Sequence, residues 1–344
     1  MSLRSRIEKR ILTRLLALVG EDQTPNLNAL NDIVKNVRIL ELNMKAFGYD
    51  LARKMATTLP VVSGTRAAPI EIGSKACVQA DIESEWCAHW AGELKTAVVY
   101  HRKLWELTYV LQALYEHGQL TEGRRGLGFG CGAEPIPSYL ASLGIHVTAT
   151  DVSQAQAQGN GWLETGQHLS KCPDHHAHLV DAATFERMVA NREVDMNAIP
   201  ADLAGFDFCW SICALEHLGS IAKGLAFIEA SLATLRPGGV AVHTLEFNVE
   251  NDGPTIDNWI TVLFQQRHLE ALATRLRDQG HRVEELNFDT GSRPMDQFID
   301  LPPWHHDPDE KPAVNLGEPL HLKLAIDGFV STSFGLIVKK GELL

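Results

Sequence analysis

The 344-residue sequence has few cysteines, no long apolar run and no excess of positive charge. Its cysteines form no CxxC pair, which argues against a disulfide framework or a cysteine-rich zinc site and favours reduced thiols in the cytoplasm. No apolar segment approaches the roughly 20 residues that a membrane helix needs. The six cysteines are Cys77, Cys87, Cys131, Cys172, Cys209 and Cys213.

The formal net charge is −12 at pH 7, which argues against nucleic acid or an anionic membrane surface as the main partner. The first residues, MSLRSRIEKRILTRLLALVG, are basic and then apolar. Charges interrupt the apolar part and no small-residue cleavage site follows, so we expect an amphipathic helix rather than a signal peptide. The hydrophobic fraction of 45% is that of an ordinary globular protein.

Residues 1–118 are predicted to form a helical N-terminal extension. One stretch has apolar residues spaced alternately three and four apart, as in a coiled-coil seam. Such a helix either packs on its own domain or associates with a second copy to give a homo-oligomer, and the spacing leaves both interpretations open. The seam residues are Leu30, Ile33, Val37, Leu40, Met44, Phe47 and Leu51.

Residues 119–344 alternate between strand and helix patterns, which predicts a mostly parallel sheet covered by helices on both faces. We expect an α/β fold with a doubly wound, Rossmann-like, seven-stranded sheet and an antiparallel last strand. An insertion near 290–320 precedes that strand. Strands are predicted at 126–130, 146–151, 194–196, 206–212, 240–247, in HRVEELNF and in STSFGLIVKK; helices are predicted at 81–118, 135–144, 154–170, 221–235 and 257–279.

The segment RGLGFGCGAEP places Gly128, Gly130 and Gly132 at the end of the first of these strands. Glycine permits positive φ and lets a ligand approach the backbone, and the following helix directs free N–H groups towards it. Asp151 ends the next strand, where a carboxylate accepts ribose hydroxyl protons. The loop also satisfies the loose dinucleotide pattern G-x-G-x-x-A, so it does not identify the nucleotide by itself.

Three later segments favour S-adenosylmethionine. VDMNAIP supplies Asp195 and Met196, an acid for the adenine amino group and an apolar cover for the ring. FDFCWSICALEHLG places residues 211–217 after the fourth strand, and LRPGGVAVHT is a turn before a fifth buried strand. In this order and spacing, residues 124–250 resemble the class I S-adenosylmethionine-dependent methyltransferases. The resemblance implies methyl transfer from the sulfonium of this cofactor to a nucleophile.

The resemblance also implies a set of cofactor-binding residues. Two positions depart from the family pattern: Gly128 stands where an acidic residue is usual, and Glu134 stands where a glycine is frequent. The contact to the methionine amino group is therefore expected from elsewhere, with Glu134 as one candidate. The expected cofactor-binding residues are Gly128, Phe129, Gly130, Cys131, Gly132, Glu134, Asp151, Val152, Asp195, Met196 and Ser211.

An oxygen acceptor that is not very acidic needs a general base within hydrogen-bond reach. His217 is the first candidate because of its position after the fourth strand, followed by His243 and Glu246. The aromatic and polar residues outside the core suit a small polar molecule or a glycan, methylated at oxygen. The expected substrate-binding residues are Trp90, His101, Trp105 and Glu216, with Trp86 and Trp304 as further stacking candidates.

Two other functions stay open at this stage: a nicotinamide-dependent oxidoreductase and a non-catalytic S-adenosylmethionine-binding module. Histidines and carboxylates cluster at 174–178 and 302–310, but neither cluster has the spacing of ligands on a rigid element, so no functional metal is expected. No nucleic-acid or membrane partner is expected.

Overall fold

The computed structural model describes residues 27–60, 65–152, 174–250, 253–302 and 316–342. Several predictions concern residues outside this part of the chain. They are the amphipathic helix within 1–26, the helix at 154–170, Cys172, Trp304 and nearly all of the 302–310 cluster.

The helices are α1 (Leu27–Ala56), α2 (Gln79–Ile82), α3 (Glu85–Glu93), α4 (Arg102–Glu116), α5 (Ile136–Ser142), α6 (Ala182–Met188), α7 (Ile221–Ala233), α8 (Gln266–Asp278) and α9 (Pro294–Gln297). The strands are β1 (Ser74–Ala76), β2 (Arg125–Phe129), β3 (His146–Asp151), β4 (Val189–Glu193), β5 (Phe206–Ile212), β6 (Leu235–Asn248), β7 (Arg282–Val283), β8 (Leu286–Asn287), β9 (Ile299–Asp300), β10 (Lys323–Ile326) and β11 (Phe329–Lys339). A single 3₁₀ turn, Leu215–His217, follows β5.

These strands form one sheet in the order β4-β3-β2-β5-β6-β11-β1-β8, with β7, β9 and β10 on its side branches. Strands β2 to β6 are parallel, and β11 runs antiparallel to β6, which confirms the predicted fold class. The antiparallel strand was expected at an edge, but β1 pairs with its other side. That short strand lies in a segment predicted to be a connection.

Three predicted boundaries are corrected by the structure. The third parallel strand is Val189–Glu193 rather than 194–196, because it lies at the sheet edge, exposes polar side chains and so lacks an apolar run. The predicted helix at 81–118 is interrupted between α3 and α4, where Lys95 has a φ of 53°. The predicted helix at 257–279 begins only at Gln266.

The sheet has a hydrophobic layer on each face. Residues of α3, α4 and α5 pack on one face with Trp105, Tyr109 and Trp210 at the centre. Residues of α7 and α8 pack on the other, around Phe227 and Phe247. Helix α4 packs directly on β6 and β11, so this part of the predicted N-terminal extension shares the core of the sheet.

Helix α1 is attached to the rest of the protein through its C-terminal half. Lys45 Nζ and the Tyr49 hydroxyl donate hydrogen bonds to the carboxylate of Asp300, at 2.8 and 2.7 Å. His321 Nδ1 lies 2.7 Å from the same carboxylate. Asp300 itself is fully buried, so this cluster joins α1 to β9 and to the segment before β10.

The described cysteines, which are all except Cys172, are buried and form no disulfide with one another. Within the described ranges, no helix has the length and apolar character needed to cross a membrane.

The Asp300 cluster gives a stability prediction. Replacing Asp300 by Ala leaves Lys45 buried without its counter-charge, which costs about 3–5 kcal/mol of unfolding free energy. The matched control is Asp50→Ala on the same helix, because Asp50 and Lys54 form an ion pair at 2.6 Å whose side chains are 55% and 74% exposed. A pair of that kind contributes about 0–1 kcal/mol. Urea unfolding measures both, and equal losses would contradict the account.

Candidate active site

The carboxyl ends of β2, β3 and β5 meet at one edge of the sheet, around a glycine loop. Gly130 and Gly132 have φ values of 62° and 47°. A Cβ atom on Gly130 would lie 2.7 Å from the Cβ of Ala214, which belongs to the segment after β5. The loop therefore needs glycine at position 130 for both its conformation and its contact with that segment.

Asp151 is placed beside the glycine loop by its own hydrogen bonds. Its carboxylate accepts the N–H of Gly132 at 3.1 Å and the N–H of Val152 at 2.8 Å. After β4, the carboxylate of Asp195 accepts the N–H of Asn197, and the sulfur of Met196 lies 3.7 Å from the position of a Cβ on Gly130. Asp151 and Met196 are thus brought to the same loop, as the sequence predicts.

Gly128 has a packing role that the sequence did not reveal. A Cβ atom on Gly128 would lie 2.5 Å from the indole ring of Trp210, the neighbouring residue in β5. Gly126 lies beneath Phe208 in the same way. The aromatic rings of β5 therefore cover β2, and an acidic side chain at position 128 would collide with Trp210.

The carboxylate of Glu134 lies beside Trp210, the residue that packs over Gly128. The indole N–H of Trp210 donates a hydrogen bond of 2.6 Å to Glu134 Oε1. Burial raises the pKa of Glu134 to about 8, although the bond from Trp210 works in the opposite direction. A bound cation at this place would favour the ionised carboxylate.

Phe129, Cys131 and Ser211 are buried, so their side chains belong to the core beneath the loop. The ring of Phe129 packs edge-on against Phe227 at 5.1 Å between centroids. His243 is also fully buried: its Nδ1 lies 2.8 Å from the Ser211 hydroxyl and its Nε2 lies 3.1 Å from the Ser231 hydroxyl. Burial lowers the pKa of His243 to about 3, and both ring nitrogens are occupied, so we do not assign it a role as general base.

A buried polar cluster lies at the same edge of the sheet, between α4 and the ends of β5, β6 and β11. Arg102 Nη2 lies 2.5 Å from Glu246 Oε1, and Arg102 Nη1 lies 3.1 Å from both Glu106 Oε1 and the Ser333 hydroxyl. The thiol of Cys213 donates to Glu106 Oε1 at 3.1 Å. We call these five residues the Arg102 cluster.

Opposite charges in and beside the Arg102 cluster stabilise one another's ionised forms. Burial opposes the ionisation of Glu106, but Lys103 and Arg102 outweigh it and lower the pKa of that carboxyl. Burial and the nearby Glu106 raise the pKa of Cys213 well above its usual range, so the thiol stays protonated. Two cations therefore balance the carboxylates of Glu106 and Glu246.

Glu216, in the 3₁₀ turn after β5, is a third buried carboxylate beside the Arg102 cluster. It is 1% exposed, and neither of its oxygen atoms has a hydrogen-bond partner in the described part of the structure. Arg102 Nε is likewise without a partner there. Burial, followed by the charge of Glu246, raises the pKa of Glu216 to about 8. Unsatisfied buried polar groups of this kind are rare in folded proteins and call for an explanation, such as a catalytic role, a bound ligand or an ordered water.

Cys213, Glu216 and Glu246 bring three ligand atoms within 4.8 Å of one another, which raises the question of a metal ion. The carboxylate of Glu246 is already engaged by the Arg102 guanidinium and by the Ser331 hydroxyl at 2.7 Å. A second cation beside that guanidinium would be repelled, so we do not assign a metal here. The histidines at 174–178 instead contact the backbone, as in the 3.0 Å contact of His176 Nε2 with the carbonyl oxygen of Ala133.

The candidate base His217 is oriented by the chain that follows β6. Its Nδ1 lies 2.9 Å from the carbonyl oxygen of Ile260, and burial lowers its pKa. The ring is therefore neutral, and Nδ1 carries the hydrogen that this carbonyl accepts.

The predicted stacking residues of α3 and α4 lie in the core. The indole N–H of Trp90 donates to Gln112 at 2.6 Å, and that of Trp105 donates to Asp81 at 2.8 Å. Trp90 and Trp105 are 2% and 0% exposed, so we do not assign either to a substrate pocket. His101 is nearer to the site: it begins α4 and its ring lies 4.7 Å from that of His321.

Glu106 and Ser333 were not expected at the site from the sequence. One signal was present in α4, where an arginine and a glutamate four residues apart lie on one face of a helix rich in aromatic residues. A second signal was the polar Ser-Thr-Ser start of an apolar last strand.

Residues 127–243 match the methyltransferase domain family. These residues therefore form a methyltransferase domain of the S-adenosylmethionine-dependent type, and the match does not favour a nicotinamide cofactor. No curated protein matches the chain.

Among solved structures, a putative sarcosine dimethylglycine methyltransferase from Galdieria sulphuraria is 16% identical, with coverage of 69% of this chain and 88% of that one and a TM-score of 0.41. A phosphoethanolamine N-methyltransferase from Haemonchus contortus, in complex with S-adenosylhomocysteine, is 17% identical, with 51% and 38% coverage and a TM-score of 0.35. The [4+2]-cyclase SpnF is 22% identical, with 51% and 57% coverage and a TM-score of 0.36. The chain thus spans little more than half of SpnF and less than half of the Haemonchus enzyme, and the assignment rests on the family match.

The site fits this cofactor. Beside the glycine loop, Asp151 offers a carboxylate of the kind that accepts ribose hydroxyl protons, and Glu134 offers a carboxylate of the kind that pairs with an ammonium group. The cofactor supplies an electrophilic methyl group on a sulfonium centre. The segment after β5, with Ala214 against Gly130, links the loop to the Arg102 cluster.

Gly130 and Gly118 have nearly equal φ values, but only Gly130 has a close neighbour. Substituting each in turn therefore distinguishes the effect of backbone strain from the effect of close contact. Gly130 (φ 62°) faces Ala214, whereas a Cβ on Gly118 (φ 66°) would meet nothing within 4 Å. Overpacking costs about 1–3 kcal/mol, so Gly130→Ala should weaken binding of S-adenosylhomocysteine about tenfold. Gly118→Ala should cost about 1 kcal/mol of stability and leave that affinity unchanged. Calorimetric titration measures both, and equal affinities would contradict the proposed contact.

Proposed function

We propose that this methyltransferase transfers the methyl group of S-adenosylmethionine to a hydroxyl oxygen of a small polar molecule or a glycan. The observation that carries the proposal is Glu216, whose buried carboxylate has two oxygen atoms without partners in the described part of the structure. It lies at the carboxyl edge of the sheet, two residues after Ala214, which touches the glycine loop.

The buried atoms without hydrogen-bond partners indicate which chemical groups the acceptor molecule carries. In its ionised form Glu216 has two oxygen atoms that need hydrogen-bond donors, and Arg102 Nε–H needs an acceptor. A molecule with neighbouring hydroxyl groups supplies both kinds of atom from one side. A purely apolar acceptor would leave these buried groups unsatisfied, at a cost of about 1–3 kcal/mol for each. This pattern supports a polyhydroxylated acceptor such as a sugar.

Glu216 also suits the proton transfer that an oxygen acceptor requires. A hydroxyl loses its proton as its oxygen is methylated, so a base must lie within hydrogen-bond reach. The carboxylate of Glu216 takes that proton in our proposal, and its raised pKa makes it a better base than an ordinary carboxylate. Glu246 and Glu106 are already paired with Arg102 and are assigned to positioning.

The cofactor is proposed to lie across the glycine loop. The backbone at Gly130, Cys131 and Gly132 approaches it, Asp151 and Val152 meet the ribose, and Asp195 with Met196 meet the adenine. The methionine ammonium is proposed to pair with Glu134, because Trp210 fills the space above Gly128 where other family members carry an acid. Gly128, Phe129 and Ser211 then support the loop from below.

The acceptor proposal predicts the outcome of a radiolabel assay. The purified protein, given S-adenosylmethionine labelled in its methyl group, should label sugars and other polyols rather than amines or thiols. With the best of these acceptors, Glu216→Gln should lower kcat by about 100-fold or more, the usual contribution of a general base. The same change at the exposed Glu270 should have no effect.

The dependence of kcat/KM on pH tests the role of Glu216 as a base. The catalytically competent form of Glu216 is the ionised one, so kcat/KM should rise with pH and level off above about 8. The Glu216→Gln variant should lose this rise while binding S-adenosylhomocysteine as before. Labelling confined to amines, or an unchanged kcat in the variant, would contradict the proposal.

The assignment of Glu134 predicts a difference between two ligands. Hydrogen bonds to charged groups contribute about 1.5–3 kcal/mol, so Glu134→Gln should weaken S-adenosylhomocysteine about 10- to 100-fold. It should not weaken 5′-methylthioadenosine, which lacks the ammonium group. Glu122→Gln, at an exposed carboxyl, is the control for both ligands. Equal losses for the two ligands in calorimetry would place the ammonium elsewhere.

A further inference from the structure

Helix α1 carries an apolar stripe that none of the described residues covers. Five large side chains on it are exposed, although residues of their type are usually buried. We call them the α1 stripe: Val37 (49% exposed), Leu40 (63%), Met44 (55%), Phe47 (73%) and Leu51 (39%).

The stripe residues are spaced alternately three and four apart, so they lie on one face of the helix. That face is different from the one that holds α1 to the domain, which carries Lys45, Tyr49 and Ala52. At 100° per residue, the two faces point about a quarter to a third of a turn apart. The stripe is therefore free for a partner while the helix stays attached through Asp300.

The N-terminal half of α1 has no contact that buries its described side chains. Every described side chain from Val34 to Leu40 is exposed. Helices in proteins owe most of their stability to packing of one face, and a free helical arm is marginal in water. This half needs a surface to pack against.

The size of the stripe suits a specific interface. Its five side chains expose roughly 600 Å² together, so two copies face to face would bury on the order of 1,200 Å², the lower limit for a stable interface. An exposed apolar patch of this area on a soluble protein usually marks an interaction site.

We propose that the α1 stripe packs against the same stripe of a second copy of this chain, so that the methyltransferase is a homodimer. A seam with three-four spacing is complementary to another seam with the same spacing, and a second copy always supplies one. The residues that flank the stripe are Asn36, Asn43 and Asp50 on one side and Val34, Glu41 and Gly48 on the other. Pairing with a copy therefore brings no row of like charges together.

The molar mass in solution tests this proposal with the full chain. Light scattering should give about twice the protomer mass of 37.9 kDa. The double change Leu40→Glu and Phe47→Glu should halve the measured mass. The control is Ile39→Glu, since Ile39 is 54% exposed on the same helix but lies off the stripe, and this variant should remain dimeric. Circular dichroism and S-adenosylhomocysteine binding report that each variant is folded.

A second readout places the two stripes in contact. Met44→Cys, treated with a short bis-maleimide, should give a cross-linked dimer, and Ile39→Cys should not. A monomeric wild type would overturn the proposal, and would mean that residues 1–26 or a different protein cover the stripe. A dimer that survives the Leu40 and Phe47 changes, or that dissociates equally with Ile39→Glu, would also overturn it. None of these results depends on the acceptor of the methyl group.

Discussion

The guanidinium of Arg102 is the charge around which the site is assembled. It is buried, and a buried charge left without partners costs several kcal/mol. Its partners come from α4 (Glu106), β6 (Glu246) and β11 (Ser333), so the charge is compensated only when these elements meet. The N-terminal part of the chain therefore supplies one wall of the site, and Glu216 is left as the carboxylate without a partner in the described structure.

The departure of the glycine loop from the family pattern has one physical explanation. Trp210 occupies the space above Gly128, which excludes an acid at that position, and its indole N–H holds Glu134 in place. Gly128 thus leaves space for Trp210, Trp210 holds the carboxylate of Glu134, and we propose that Glu134 makes the contact that the missing acid would otherwise make. A single change among them would leave either a collision or a missing charge.

Much of the fold was predictable because its signals are local. The strand FDFCWSI is a continuous apolar run and appears at the predicted residues, and LRPGG followed by an apolar run marks β6. β4 escaped prediction because an edge strand with polar side chains has no apolar run. The site was less predictable, since contacts such as Arg102 with Glu246 join residues far apart in sequence. Histidine was the expected general base, but both ring nitrogens of His243 contact serine hydroxyls.

The central claim is that the methyl group is delivered towards Glu216. A crystal structure of the full chain with S-adenosylhomocysteine tests it most directly, because the sulfur atom of that ligand marks the place from which the methyl group leaves. The account predicts that the sulfur faces the segment Cys213–Glu216, with the ammonium group against Glu134. A sulfur atom directed away from Glu216, with no open path between the two, would contradict it.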